Sequence, residues 1–222
     1  MKIAIIDYGL GNLHSVFNAF ESLGVNVAIC DSAEELDSYD ALVLPGVGAF
    51  GDAMQQLELT GLGDALIRCV KEGKALLGVC LGLQLLFEES DEFGNHKGLG
   101  LIRGKVHKLF DGRHTDNQLR VPQIGWHQIE VSPNGTNWKD SCLNGLTANE
   151  YFYFVHSFVV EPSDPSDILS LTRYGEFTFC SAIKRANITA FQFHPEKSGP
   201  VGLSLYQSWI ESLKGRSPNA QT

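Results

Sequence analysis

The chain has 222 residues, 43% of them apolar, and a formal charge of −9. That composition supports a sizeable core and excludes disorder, while the acidic balance argues against nucleic-acid partners, which demand a basic stripe to neutralise phosphates. The N-terminal apolar run covers only Ile3 to Ile6 before Asp7, too short for a signal-peptide core. No window reaches the ~20 apolar residues of a membrane span, so a cytoplasmic protein with no membrane contact is expected.

Along the chain, Lys2–Tyr8 is a short apolar run ending at Gly9, a buried strand feeding a turn. Asn12 offers a cap to a helix with Val16, Phe17, Phe20 and Leu23 on one face, stopped by Gly24. Asn26–Cys30 and Ala41–Leu44 read as the next strands. Asp52 to about Glu72 reads as one long helix closed by Gly73. Ala75–Val79 is a fourth strand, running into a helix over Leu81–Glu89. Short apolar strands alternating with helices imply an α/β fold with a parallel sheet covered on both faces.

After Gly98 the character changes. Trp126–Val131, Tyr151–Val160, Ile168–Arg173 and Thr178–Lys184 are β-rich and separated by turn residues, which predicts an added antiparallel β layer. Alternate positions of the aromatic run Tyr151–Phe154 are expected in the core. Ala190–Phe193 is one more strand and Val201–Leu213 a closing amphipathic helix, followed by a polar tail over 215–222.

Five cysteines (Cys30, Cys69, Cys80, Cys142 and Cys180) are an odd number without a CxxC pair, neither a disulfide framework nor a zinc site. Cys80 alone has a distinctive setting. The stretch Ala75-Leu-Leu-Gly-Val-Cys80-Leu-Gly82 carries an apolar strand through G-x-Cys-x-G directly into a helix. That is the pattern of a nucleophile elbow, in which a tight turn projects a side chain from the sheet edge and flanking glycines remove clashes. The following N–H, on Leu81, is then placed as half of an oxyanion hole. The same pentapeptide also fits a small buried hydrophobe at a strand end.

A cysteine nucleophile needs a histidine base, and the base needs an orienting partner. Of His14, His96, His107, His114, His127, His156 and His194, only His194 has an acid at fixed spacing, in His194-Pro195-Glu196 at a strand end. Pro195 stiffens the link, and a two-residue spacing on extended chain points His194 and Glu196 the same way. A surface turn with a fortuitous ion pair fits that tripeptide as well. The loop Pro45-Gly46-Val47-Gly48 follows a neighbouring strand and can bring backbone N–H groups to a ligand. Gly9-x-Gly11 lacks the third glycine of a dinucleotide fingerprint, and no phosphate-loop motif occurs. The reading calls for no cofactor and no metal.

Taken together, Pro45-Gly-Val-Gly48, Gly78-Val-Cys-Leu-Gly-Leu-Gln84 and Gln192-Phe-His-Pro-Glu-Lys-Ser198 resemble the landmarks of the triad-type, class I glutamine amidotransferases. Asp7-Tyr-Gly-Leu-Gly-Asn-Leu13, Gly98-Leu-Gly-Leu101, Pro122-Gln-Ile-Gly-Trp126 and Tyr153-Phe-Val-His-Ser157 are similar, in order, to the glutaminase subunits of imidazole glycerol phosphate synthases. The resemblance covers the chain to about Leu213. It implies a flavodoxin-like central parallel sheet in a single amidotransferase domain over 1–214, hydrolysis of glutamine through a cysteinyl thioester, and a (β/α)8-barrel cyclase as heterodimeric partner that receives the ammonia. It gives Cys80, His194 and Glu196 the triad roles and Gly46, Val47, Gly48 and Leu81 the oxyanion site. Gln84 and Ser157 match substrate-contacting positions, and Lys197 an interface position. The family usually carries Met at Leu83 and Ile124 and Asn at His127, in a segment expected near the partner. The same chemistry serving another synthase, such as sugar amidination in polysaccharide synthesis, is the alternative. A vestigial, non-catalytic subunit and a cysteine peptidase on a similar fold are the others.

Overall fold

A computed structural model describes residues 1–110, 119–147 and 150–214. His114 and the tail 215–222 lie outside the described residues. The first half runs β1 (Lys2–Ile6), α1 (Leu13–Ser22), β2 (Asn26–Cys30), β3 (Ala41–Gly46), α2 (Phe50–Leu59), α3 (Leu62–Lys71), β4 (Ala75–Cys80) and α4 (Leu81–Leu85). Short strands follow: β5 (Glu89–Ser90), β6 (His96–Lys97), β7 (Gly104–Lys108), β8 (Gln123–Gln128) and β9 (Glu130–Val131). The chain ends with β10 (Tyr151–His156), β11 (Phe158–Pro162), β12 (Ile168–Tyr174), β13 (Phe177–Arg185), β14 (Ile188–Phe191) and α5 (Gly199–Lys214).

The main sheet has the order β2-β1-β3-β4-β14-β13-β11-β7-β5-β6, with β12 and β9 attached through β13. Strands β2, β1, β3, β4 and β14 are mutually parallel. Alternation along β1 sends Ala4 and Ile6 into one core with α2 and α3, and Ile3 and Ile5 into the other with α1 and α5. Strands buried on both faces must be apolar at every position, and each fully buried large side chain contributes roughly 1.5–3 kcal/mol. The antiparallel strands occupy two places. Strands β13, β11 and β7 extend the main sheet, while β8 and β10 form a separate two-stranded ribbon.

Four local expectations are corrected. The single long helix is two, because Gly61 adopts φ 70° between α2 and α3, a left-handed conformation that ends a helix and suits glycine. Helix α4 stops at Leu85, since the carbonyls of Leu85, Leu86 and Phe87 accept from Leu99, Leu101 and Gly100 rather than from a continuing helix. The strand expected over Tyr151–Val160 breaks at Ser157, so β10 joins the ribbon and β11 the main sheet. Asn12 precedes α1 without a side-chain capping bond. Within β10 the alternation holds: Phe152 and Phe154 are buried, and Tyr151 is half exposed.

Candidate active site

Three adjacent parallel strands converge on Cys80. In register, Gly46 of β3 lies opposite Cys80 at the end of β4, and Phe191 of β14 lies opposite Val79. The loop Pro45–Gly48 and the segment carrying His194 therefore leave the same sheet edge as the thiol, where sites of open α/β sheets form. Cys80 has φ 55° and ψ −111°, a region costing roughly 1–3 kcal/mol for a residue with a Cβ. The turn depends on close approach, because a Cβ on Gly82 would collide with the Leu44 carbonyl oxygen. A Cβ on Gly46 would strike the Tyr8 hydroxyl and the Leu81 side chain. The Tyr8 hydroxyl donates to the Pro45 carbonyl at 3.0 Å and fixes the start of the loop. Burial, then the nearby Cys80 and Asp7, pushes the Tyr8 hydroxyl pKa up and keeps it a donor.

His194 is buried, and its Nδ1 meets Glu196 Oε1 at 2.7 Å. Tyr206 of α5 donates its hydroxyl to Glu196 Oε2 at 3.1 Å, so both carboxylate oxygens are engaged. The loop is pinned to β10, where His194 N–H donates to the Tyr153 carbonyl at 2.9 Å and Tyr153 N–H donates to Ser198 Oγ at 3.0 Å. The remaining ring nitrogen, Nε2, is buried without a hydrogen-bond partner. His194 and Cys80 border the same cavity. Burial alone would lower the His194 pKa, but Cys80 and Glu196 outweigh it and raise it to about 10.

A cavity of about 290 Å³ opens at these groups. Its lining brings together Cys80, His194, Val47, Gly48, Leu81, Gln84, Ser157 and Lys197, all singled out in the sequence. Gly46 and Glu196 stand behind it, bordering a small cleft with His194. Gln84 is more committed than expected. Its amide nitrogen donates to the Phe158 carbonyl and to Gln192 Oε1, both at 3.0 Å, which leaves its oxygen for a ligand. The Lys197 ammonium lies 5.9 Å from the Tyr153 ring centroid. A larger groove of about 640 Å³ between α2, α3 and 95–99 holds neither the thiol nor His194, so chemistry rather than volume selects the smaller one.

Sequence reasoning missed several contributors. Glu92 lines the cavity with a buried carboxylate whose pKa burial raises. His156 lines it too, its Nδ1 bonded to the Phe158 carbonyl at 3.0 Å, and burial pushes its pKa down to about 3. Ser198 and Tyr206 hold the base and its carboxylate. On the ribbon, Ile124, Trp126 and Tyr151 are half or more exposed. His127 turns the other way, its ring against Phe154 and Tyr174, and burial lowers its pKa. The departure at His127 is thus on the inner face of the segment expected near the partner.

The family description "Glutamine amidotransferase class-I" matches residues 4–208. Imidazole glycerol phosphate synthase subunit HisH of Syntrophotalea carbinolica is 45% identical over 208 residues, covering 93% of this chain and 98% of that protein. HisH of Aquifex aeolicus is 45% identical over 210 residues, covering 94% and 96%. Among solved structures, one titled a glutamine amidotransferase matches with TM-score 0.71 at 20% identity, covering 95% of this chain and 98% of that one. PurLQS from Thermotoga maritima matches with TM-score 0.71 at 18% identity, covering 96% and 98%; at such identities the likeness speaks for the fold. From the family match and these relatives, the chain belongs to the class-I glutamine amidotransferase family.

Proposed function

We propose that the chain hydrolyses glutamine to glutamate through a Cys80 thioester and passes the ammonia to a cyclase partner in histidine biosynthesis. One observation carries the chemistry: a cysteine on a strained elbow shares a buried site with a histidine whose far nitrogen is gripped by a carboxylate at 2.7 Å. In this reading His194 takes the Cys80 proton and the sulfur attacks the carboxamide carbon. The N–H of Leu81, with one from Val47 or Gly48, stabilises the oxyanion. His194 returns the proton to the nitrogen as the C–N bond breaks and ammonia leaves. Water, deprotonated by His194, then opens the thioester and frees glutamate.

Substrate recognition follows from the lining. Glu92 is the one carboxylate among the described residues around the cavity and suits an α-ammonium. The Gln84 oxygen and Ser157 are polar contacts for the same end. The names of the HisH relatives support a synthase subunit in histidine biosynthesis over sugar amidination. The exposed side chains Ile124, Trp126 and Tyr151 and the neighbouring Lys197 support a heterodimeric (β/α)8-barrel partner covering this end. A cytoplasmic location belongs to the same reading.

Glutamate release from the purified chain, alone and with the cyclase and that partner's ligand, tests this directly. The expected result is strong release in the ligand-bound complex, abolished by Cys80→Ala. Release that survives Cys80→Ala would remove the thioester mechanism, and a complex that never forms would remove the assigned partner.

A further inference from the structure

Helix α2 begins two residues after Gly48, and its N-cap residue, Ala49, makes no side-chain capping bond. The first N–H groups of a helix require acceptors from outside it. Here the acceptor comes from 42 positions further along the chain, where Phe50 N–H donates to Glu92 Oε2 at 2.7 Å. A carboxylate suits a helix N-terminus. Glu92 is itself held, its own N–H donating to Ser90 Oγ at 3.2 Å. Next in the chain, Phe93 adopts φ 55°, so the turn presenting the carboxylate is conformationally demanding.

The loop Gly46–Ala49 is therefore fixed at both ends. Tyr8 holds the Pro45 carbonyl before it, and Glu92 holds the Phe50 N–H after it. The first anchor is a neutral phenol in the core. The second is a carboxylate that also borders the cavity proposed to receive glutamine. A cation entering there meets the same group that sets the far end of the loop.

We propose that Glu92 is a positioning residue that ties recognition of the substrate's α-ammonium to placement of the Val47–Gly48 loop, acting through Phe50. The link rests on the glutaminase reading. An ammonium beside Glu92 favours the charged carboxylate and stiffens the turn that carries it. That fixes the first turn of α2, and with it the loop that must present N–H groups to the oxyanion.

The test uses the complex with the cyclase partner and its ligand, and two substrates differing only in the α-amino group: γ-glutamyl hydroxamate and glutaryl monohydroxamate. Glu92→Gln keeps an acceptor for Phe50 without the charge, and Glu92→Ala removes both. On the des-amino substrate, which lacks the group Glu92 would contact, Glu92→Gln is expected to keep several-fold more kcat than Glu92→Ala through its remaining acceptor for Phe50. Glu92→Ala is expected to fall about 10-fold or more, part of the ~10²–10³ that a lost oxyanion donor costs. On γ-glutamyl hydroxamate both variants raise KM; the unaltered complex gains kcat over its des-amino value, Glu92→Gln loses that gain, and Glu92→Ala falls about 10-fold or more below it. Alkylation of Cys80 by iodoacetamide, which develops no oxyanion, should proceed at the unaltered rate in all three. Equal des-amino kcat values in all three, or a kcat ratio between the two substrates that is the same in Glu92→Gln as in the unaltered complex, would overturn the proposal. A loss in Glu92→Ala matched by an equal loss of alkylation would overturn it as general disruption. No turnover of either substrate by the unaltered complex would instead overturn the glutaminase reading, and the link with it.

Discussion

Strands β1, β3, β4 and β14, with β2 at their edge, run parallel, and these four bury both faces, whereas β13, β11, β7 and the β8–β10 ribbon are antiparallel and expose side chains as large as Trp126. The candidate site lies where the two regions meet. The parallel region supplies the thiol and the Pro45–Gly48 loop in fixed register, with Gly46 directly opposite Cys80. The antiparallel region supplies the wall at His156, Ser157 and Phe158, and the ribbon pins the His194 loop through Tyr153. One region sets the nucleophile by backbone packing; the other sets the base by a few hydrogen bonds. Perturbations should divide accordingly.

The largest effect is expected at the base. Glu196→Gln leaves the shape intact but offers His194 Nδ1 a partner that no longer enforces the tautomer or stabilises the imidazolium. By the behaviour of Ser-His-Asp triads, kcat for glutamate release should fall about 10⁴-fold with little change in thermal midpoint. A loss under about 10-fold would remove Glu196 from the triad. Next comes the parallel region. Gly82→Ala forces a Cβ against the Leu44 carbonyl, and backbone that cannot yield makes this an overpacking change of about 3 kcal/mol or more. Urea unfolding measures it, and a cost below about 1 kcal/mol would mean the elbow is less rigid than its packing implies.

The unequal legibility of the two regions has the same physical origin. Apolar strands buried on both faces mark themselves, so β1, β3 and β4 and the elbow after them are readable from residues alone. The interruption at Gly61 is not, because apolar residues continue on both sides of it, Leu57 before and Leu62 and Leu66 after, all bound for the same core. Nor does anything mark Ser157, where one polar residue sends β10 and β11 to different sheets. Glu92 belongs to Glu88-Glu-Ser-Asp-Glu92, which reads as a solvated charge run. Only the approach of Phe50 makes its carboxylate a buried cap. Tyr206 likewise reads as a core position of an amphipathic helix until its hydroxyl is seen on Glu196. Groups that act through partners distant in sequence carry no local signature.

The ribbon's exposed face offers a smaller effect, on association rather than on folding. Trp126 is half exposed and touches Tyr153 edge-on at 6.0 Å between centroids. Trp126→Ala should change the stability of the isolated chain by less than about 1 kcal/mol. If this face meets the cyclase, affinity should fall by about 2 kcal/mol, roughly 30-fold, as for a buried aromatic anchor. Titration of the partner by fluorescence or calorimetry separates the two, and unchanged affinity would move the interface elsewhere.

The last expected effect is graded with pH. Burial holds the His156 pKa near 3, with His194 and His127 lowering it further and the Phe158 carbonyl opposing them. In the unfolded chain the ring returns to about 6.5. Below pH 6.5 the unfolded chain therefore binds a proton that the folded chain refuses. Stability from this residue is complete above about pH 6.5 and is lost as pH falls towards 3, at no more than about 1.4 kcal/mol per pH unit. His127, on the same inner face and also lowered by burial, adds a contribution of the same sign. Urea midpoints between pH 7 and 4.5 should fall less steeply for His156→Gln than for the unaltered chain. Amide exchange at pH 5 should quicken in β10 before it does in β4. The neutral ring belongs to the ribbon, while Leu76, Leu77 and Val79 of β4 are packed into the two apolar cores. Parallel slopes, or simultaneous loss of protection in both strands, would mean that the two regions unfold as one unit, and that the base is held as rigidly as the nucleophile.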